Sequence, residues 1–442
     1  MRIEEQAFYS CSSLSSITIP ESVSRIGGSA FYNCDALTRI DVKPINPPTG
    51  GSKMFHNTSL CPIYIPSGSE EAYTHANYWR QYSLRMKIDG SDSPVIYSST
   101  DYSHDGEVIE LQKASVGLGI NIILMGDGFL DKDMATNGKY EQEMKKAMEQ
   151  FFAYEPYTTF RNRFNVYAVK VISENDLFGD EGYVRRLTYE ENGILYFRTS
   201  HCYNYATAIP NPNKQPRKIA VLFNTTETIG RSFCALNYNG SACCFILDPI
   251  KNVINHELGG HAFGLLMDEY VEGKDEFTEY NTLDNEYRNY GFGANIDWRS
   301  NPEEVRWSRL LKDPRYQYEG LGVFEGGYLY AKGIFRSTEN SIMRTHSIDT
   351  GRSFNAPSRE QIYKMIMKYS EGEEWVYDYE EFAKADEHGR LVAAEVLGPW
   401  KASATSTRSI AREDNHQPPV FVDDSVKEVG MDKNGNIVLI RR

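Results

Sequence analysis

Two histidines five positions apart, with a pair of glycines between them, constrain this chain more than any other feature. They lie in Asn255-His256-Glu257-Leu258-Gly259-Gly260-His261, followed by Ala262-Phe263-Gly264 and then Asp268-Glu269-Tyr270. At 3.6 residues per turn a step of four returns to within about 40° of the starting face, whereas a step of five misses it by about 140°. An α-helix through this segment would point the two imidazoles apart. The flanks argue for a helix all the same: Val253-Ile254 is an apolar start, after the strand-like run Cys243-Cys244-Phe245-Ile246-Leu247 and a turn at Asp248-Pro249. The conflict disappears if the turn between the histidines widens into a one-residue π-bulge, a distortion common at functional sites. Gly259-Gly260 stands where that bulge must form, and glycine has no side chain to crowd it.

Once the imidazoles share a face, the segment is a zinc hydrolase motif, H-E-x-x-H, with one residue added. A chance string on an ordinary helix surface is the competing reading, and the apolar flanks argue against it. His256 and His261 are then expected metal ligands. Glu257 is the expected general base, taking a proton from a zinc-activated water and returning it to the leaving amine. A catalytic zinc takes three protein ligands and a water. Gly264 is expected to end the helix in a left-handed turn that brings the chain back toward the metal. Asp268 is the best-placed third ligand, with Glu269 and Glu272 as alternatives, and Tyr270 reads as a core or rim residue. Gly126-Asp127-Gly128 lacks the lysine of a phosphate loop and the third glycine of a dinucleotide fingerprint, so it reads as a strand-to-helix turn. His201 and His346 are left out of the site.

These residues resemble the zinc motif of the IgA peptidase family of bacterial zinc metallopeptidases, in the long-spaced form of gut Bacteroidetes. Asn121-Ile122-Ile123-Leu124-Met125-Gly126-Asp127-Gly128-Phe129 is similar to that family's first strand and turn, and Glu155-Pro156-Tyr157 and Phe164-Asn165-Val166-Tyr167 also match it. Asn340-Ser341-Ile342-Met343-Arg344 resembles the methionine turn of metzincin-type zincins. The resemblance implies an α/β zincin-like domain, a mixed sheet carrying a zinc-binding active-site helix, with Zn2+ as cofactor. It also implies Met343 as a hydrophobic floor and endopeptidase action on an extracellular protein or glycoprotein. A similar five-residue step occurs in dipeptidyl peptidase III, which is like this chain only in that helix.

The start of the chain follows another rule. Ile3, Ala7, Phe8, Cys11, Leu14 and Ile17 recur 23 residues later as Ile26, Ala30, Phe31, Cys34, Leu37 and Ile40. Such a period marks a solenoid whose units bury their apolar faces only by stacking, and the pattern resembles BspA-like leucine-rich repeats of bacterial surface proteins. Residues 46–85 are expected to be the closing repeat and its cap. The expected organisation is therefore a short β-rich repeat solenoid over 1–88, a metallopeptidase domain over 95–400, and a linker with a small β appendage over 401–442. Met1 opens inside a repeat, so the chain reads as truncated before its first repeats and export signal.

Strands are expected at 120–125, 164–172, 219–224 and 243–247, with helices at 140–152 and 357–371, an alternation that specifies an α/β domain. Residues 274–335 lack periodicity and read as an irregular, substrate-facing region. A net charge of −14, from 47 basic and 61 acidic residues, argues against nucleic-acid binding. No apolar run is long enough to span a membrane. The seven cysteines do not form a disulfide framework, although a bond at Cys202 or Cys234 is compatible with the spacing. The expected product is secreted or at the cell surface, with the repeats contacting a surface or host protein. The alternative is an adhesion protein whose peptidase-like domain binds zinc without turnover.

Overall fold

The computed structural model describes residues 1–58, 61–91, 98–175, 185–191, 194–225, 230–247, 253–344, 353–397, 417–432 and 436–441. The turn expected at Asp248-Pro249, His346 and the linker at 403–412 lie outside them. The chain divides into two compact units, residues 1–102 with 173–193, and residues 103–172 with 194–442.

In the first unit, strands Ser16–Ile19, Arg39–Val42, Ile63–Ile65 and Met86–Ile88 form one parallel sheet in which Ile17 faces Ile40, Ile40 faces Ile63, and Ile63 faces Met86. The 23-residue period is thus one step along the sheet. Phe8, Phe31 and Phe55 stack with ring centroids 5.0 and 5.3 Å apart, and Trp79 and Tyr82 close the column at 5.8 and 5.5 Å. Each aromatic ring is covered by the next, which is why no single repeat could bury its own face. Within residues 46–85 the aromatic column goes on, with Phe55 and Trp79 each following its predecessor by 24 positions.

The second unit is built on a seven-stranded mixed sheet. Its strands in chain order are β1 (Val108–Gln112), β2 (Ile120–Asp127), β3 (Phe164–Val169), β4 (Lys218–Phe223), β5 (Phe233–Asn237), β6 (Ala242–Ile246) and β7 (Val420–Val422), and their spatial order is β7-β5-β6-β4-β2-β3-β1. The four central strands run parallel, and β1 and β5 join them antiparallel. Central strands covered on both faces must be apolar throughout, as Ile219-Ala220-Val221 and Ala242-Cys243-Cys244-Phe245 are. Helix Lys139–Phe151 buries Tyr140, Met144, Ala147, Met148 and Phe151, the stripe expected of an amphipathic helix. All seven cysteines are free thiols, Cys202 and Cys234 among them.

Two expectations change. Residues 274–335 contain a helix, Tyr280–Tyr290, and a three-stranded antiparallel sheet of Ile296–Asp297, Phe324–Gly327 and Tyr330–Arg336. Short strands with paired glycines carry too few alternating side chains to show a period of two. The C-terminal strands belong to this unit: β7 extends the main sheet beside β5, and Val426–Asp432 pairs with both Ile194–Phe197 and Ile437–Arg441.

Candidate metal centre

The histidine segment is a π-helix over its whole length, Asn255–Phe263, rather than an α-helix with one bulge, and all nine residues are buried. Its widened hydrogen bonds include Gly264 N–H to Gly259 O at 2.9 Å. Neighbours hold it open. The Tyr157 hydroxyl donates to Gly259 O at 2.6 Å, Asn255 Nδ2 donates to Gln150 O at 2.6 Å, and Lys218 on β4 donates to the carbonyl of Ala262. The two glycines are required by packing as well as by backbone freedom. A Cβ on Gly260 would stand 2.2 Å from Met343 Sδ, and one on Gly259 would stand 3.0 Å from the Tyr157 ring.

The helix does not end in a left-handed glycine. Gly264 is right-handed, with φ −76°, and the left-handed residue is Leu265, with φ 55°. Gly264 is needed for closeness instead, because a Cβ there would meet Ile362 Cγ1 at 2.9 Å. Burial of Leu265 on the core offsets the backbone cost of its conformation.

The wider helix brings the imidazoles together. His256 Nε2 and His261 Nε2 are 2.9 Å apart, and Asp268 Oδ1 lies 3.0 Å from the first and 3.4 Å from the second. Each Nδ1 faces a backbone carbonyl, Ile342 O at 3.0 Å for His256 and Leu266 O at 2.7 Å for His261. A carbonyl only accepts, so both Nδ1 atoms carry the hydrogen and both Nε2 lone pairs point inward, the arrangement of metal-binding imidazoles held by carbonyls. Bonds of about 2.0–2.1 Å at tetrahedral angles would separate ligand atoms by about 3.3 Å, close to the three distances here. Two nitrogen lone pairs and a carboxylate around one buried point suit a dication. Among the described residues, His256, His261 and Asp268 are the group of this kind.

The Asp268 carboxylate makes the site attractive to positive charge, whether a proton or a cation. Burial opposes charge on His261, yet the charge and hydrogen bond of Asp268 outweigh it and push the imidazole up to about 9. Glu257 is fully buried, and neither carboxylate oxygen has a hydrogen-bond partner among the described residues. Burial pushes its carboxyl well above the ordinary range, with His261 pulling it down. A carboxylate so placed suits a proton acceptor facing a bound water.

The alternatives to Asp268 fall elsewhere. Glu269 turns from the cluster to accept hydrogen bonds from Asn295, Ser341 and Asn355, and Glu272 is not among the converging groups. Tyr270 is a buried tyrosine, Asp127 is buried at the end of β2 apart from the cluster, and His201 is exposed. Met343 is fully buried in the 342–344 turn, with its sulfur against Gly260. The Asp268 segment is clamped from above by the Tyr328-Leu329 turn, where Tyr328 N–H donates to Asp268 O at 2.8 Å and Leu329 N–H to Tyr270 O at 3.1 Å. Both turn residues are left-handed, at φ 49° and 73°, strain of the kind found at functional sites.

The carbonyls of Ile342 and Leu266, Lys218 and the Glu269 network were not read from the sequence. Backbone acceptors leave no sequence signal, and Lys218 resembles any strand-terminal lysine. Residues 109–317 match the family described as IgA Peptidase M64, and residues 1–85 match the BspA type Leucine rich repeat region in 6 copies. No curated protein matches the chain.

Proposed function

We propose, for a chain that carries an IgA Peptidase M64 domain behind BspA type repeats, that it is a zinc-dependent endopeptidase with a zincin-like site acting on an extracellular protein or glycoprotein. The observation that carries this reading is the convergence of His256, His261 and Asp268, beside a buried glutamate without a partner among the described residues. His256, His261 and Asp268 would hold the metal. A bound zinc ion supplies a water that is acidic near neutral pH and a Lewis acid for the substrate carbonyl.

The chain's own residues supply the rest. Glu257 takes a proton from the attacking water, holds it in a buried site that favours the neutral acid, and gives it to the departing amine nitrogen. The carbonyls of Ile342 and Leu266 keep both imidazoles in the tautomer that leaves Nε2 free to bind. Met343 packs beneath the helix and keeps water from that side.

The repeats would present this domain at a cell surface or to a host protein. Among the described residues no helix is long and apolar enough to cross a membrane. The test is zinc content of the purified chain together with cleavage of a mixed peptide library by wild type and Glu257→Gln. Stoichiometric zinc in both, with cleavage by wild type alone, supports the peptidase. Zinc without cleavage by either supports an adhesion protein with a silent site, and absence of zinc overturns the metal reading.

A further inference from the structure

Glu269 is fully buried one residue beyond Asp268. Its Oε1 accepts hydrogen bonds from Asn295 Nδ2 at 2.8 Å and Asn355 Nδ2 at 2.9 Å, and its Oε2 from Ser341 Oγ at 2.7 Å and Asn355 Nδ2 at 3.1 Å. Its backbone N–H donates to Met343 O at 2.8 Å. Those bonds fall on both sides of Ile342, whose carbonyl accepts from His256 Nδ1. Asn295 in turn grips Met267, just before Asp268, through both its N–H and its carbonyl. Asn355 also caps helix Ala356–Glu371 by accepting from Ser358. One side chain thus joins the Asp268 segment, the turn that orients His256, and the start of a core helix.

We propose that Glu269 is the positioning residue of the metal centre, holding Asp268 and the carbonyl acceptor of His256 in register. The proposal rests on the metal reading above. An ion bound by two imidazoles and a carboxylate tolerates little displacement of any of them, and partners that orient ligands are worth about 10–100-fold in metal affinity. Glutamate suits the task because an ionised carboxylate is acceptor-only and can satisfy four donor contacts at once. Glutamine would set its amide N–H2 against the Asn355 Nδ2 donor in either orientation, since that donor contacts both oxygens.

The experiment measures zinc affinity by competition with a chromophoric chelator, and the visible absorption of the Co2+-loaded full chain, for wild type, Glu269→Gln and Ser341→Ala. Tyr140→Phe, which loses a buried hydroxyl bonded to Gly126 N–H and the Val169 carbonyl, serves as a variant that loses stability alone. The expected result is a 10–100-fold loss of zinc affinity with altered Co2+ bands in Glu269→Gln, and a loss of up to about tenfold in Ser341→Ala, with the affinity of Tyr140→Phe unchanged. If Glu269→Gln does not fold, Ser341→Ala decides. Zinc affinity and Co2+ bands equal to wild type in the glutamate and serine variants, whatever their stability, would overturn the positioning role and leave the peptidase reading intact. A wild type that binds no zinc overturns both.

Discussion

Adding one methyl group at Gly260 tests the packing that holds the histidine helix open. A Cβ there would stand 2.2 Å from Met343 Sδ and 2.8 Å from its Cε. Ordinary contact is about 3.5–4.0 Å, so the sulfur must retreat by roughly 1.3 Å. Met343 is fully buried, and its turn is held by Glu269 N–H on Met343 O and Ile342 N–H on Ser353 O. Overpacking of this kind costs about 1–3 kcal/mol. Alanine recovers at most about 1 kcal/mol of helix propensity over glycine. Gly260→Ala should therefore be destabilised by up to about 3 kcal/mol. Met343→Ala alone should cost about 2–5 kcal/mol. In the double variant the clash is gone and the new methyl fills part of the cavity, so it should be at least about 1 kcal/mol more stable than the two single effects summed, against about 0.3–0.5 kcal/mol of scatter for independent sites. Urea denaturation of the metal-stripped chain measures all four corners, with zinc affinity followed in parallel. Additivity within that scatter, or a Gly260→Ala chain more stable than wild type, would refute the argument.

Further outcomes follow from other buried groups. Burial pushes the Lys218 ammonium down to about 8, against about 10.4 in an unfolded chain. Across that window the unfolded state binds more protons, so this group makes stability rise with pH from about 8 to about 10.4, while below 8 its full penalty is present. Lys218→Met should remove that slope, and equal slopes in both proteins would show the lysine to be unperturbed. Arg359 pairs with Glu319 at 2.7 Å and Asp386 at 2.8 Å, all three buried. Arg359→Met strands two carboxylates and should cost about 3–5 kcal/mol at pH 7; a denaturation midpoint equal to wild type would contradict it. Asp268→Asn should lose stoichiometric zinc whereas Glu272→Gln keeps it, and metal analysis showing the reverse would reassign the third ligand.

Local pattern carried the parts of this protein that local physics controls. Apolar runs located β2, β3, β4 and β6 because strands covered on both faces are mostly apolar along their length. The 23-residue recurrence announced stacking, since each step of the repeat is one step of a parallel sheet. Strand β5 escaped notice although Asn239-Gly240 marks the hairpin that joins it to β6.

By itself the sequence determined that His256, Glu257 and His261 sit on one helix, and that this helix could not be a regular α-helix, because five residues and 3.6 per turn are incompatible. Only the tertiary structure decided that the whole segment becomes a π-helix, because Met343, Tyr157 and Lys218 act on it from three sides. It also decided between Asp268 and Glu269. Adjacent carboxylates are equivalent as letters, but the backbone path after Leu265 aims one at the histidines and the other at Asn295, Ser341 and Asn355. That choice depends on donors 26 to 86 positions away in the chain, a distance over which no local pattern carries information.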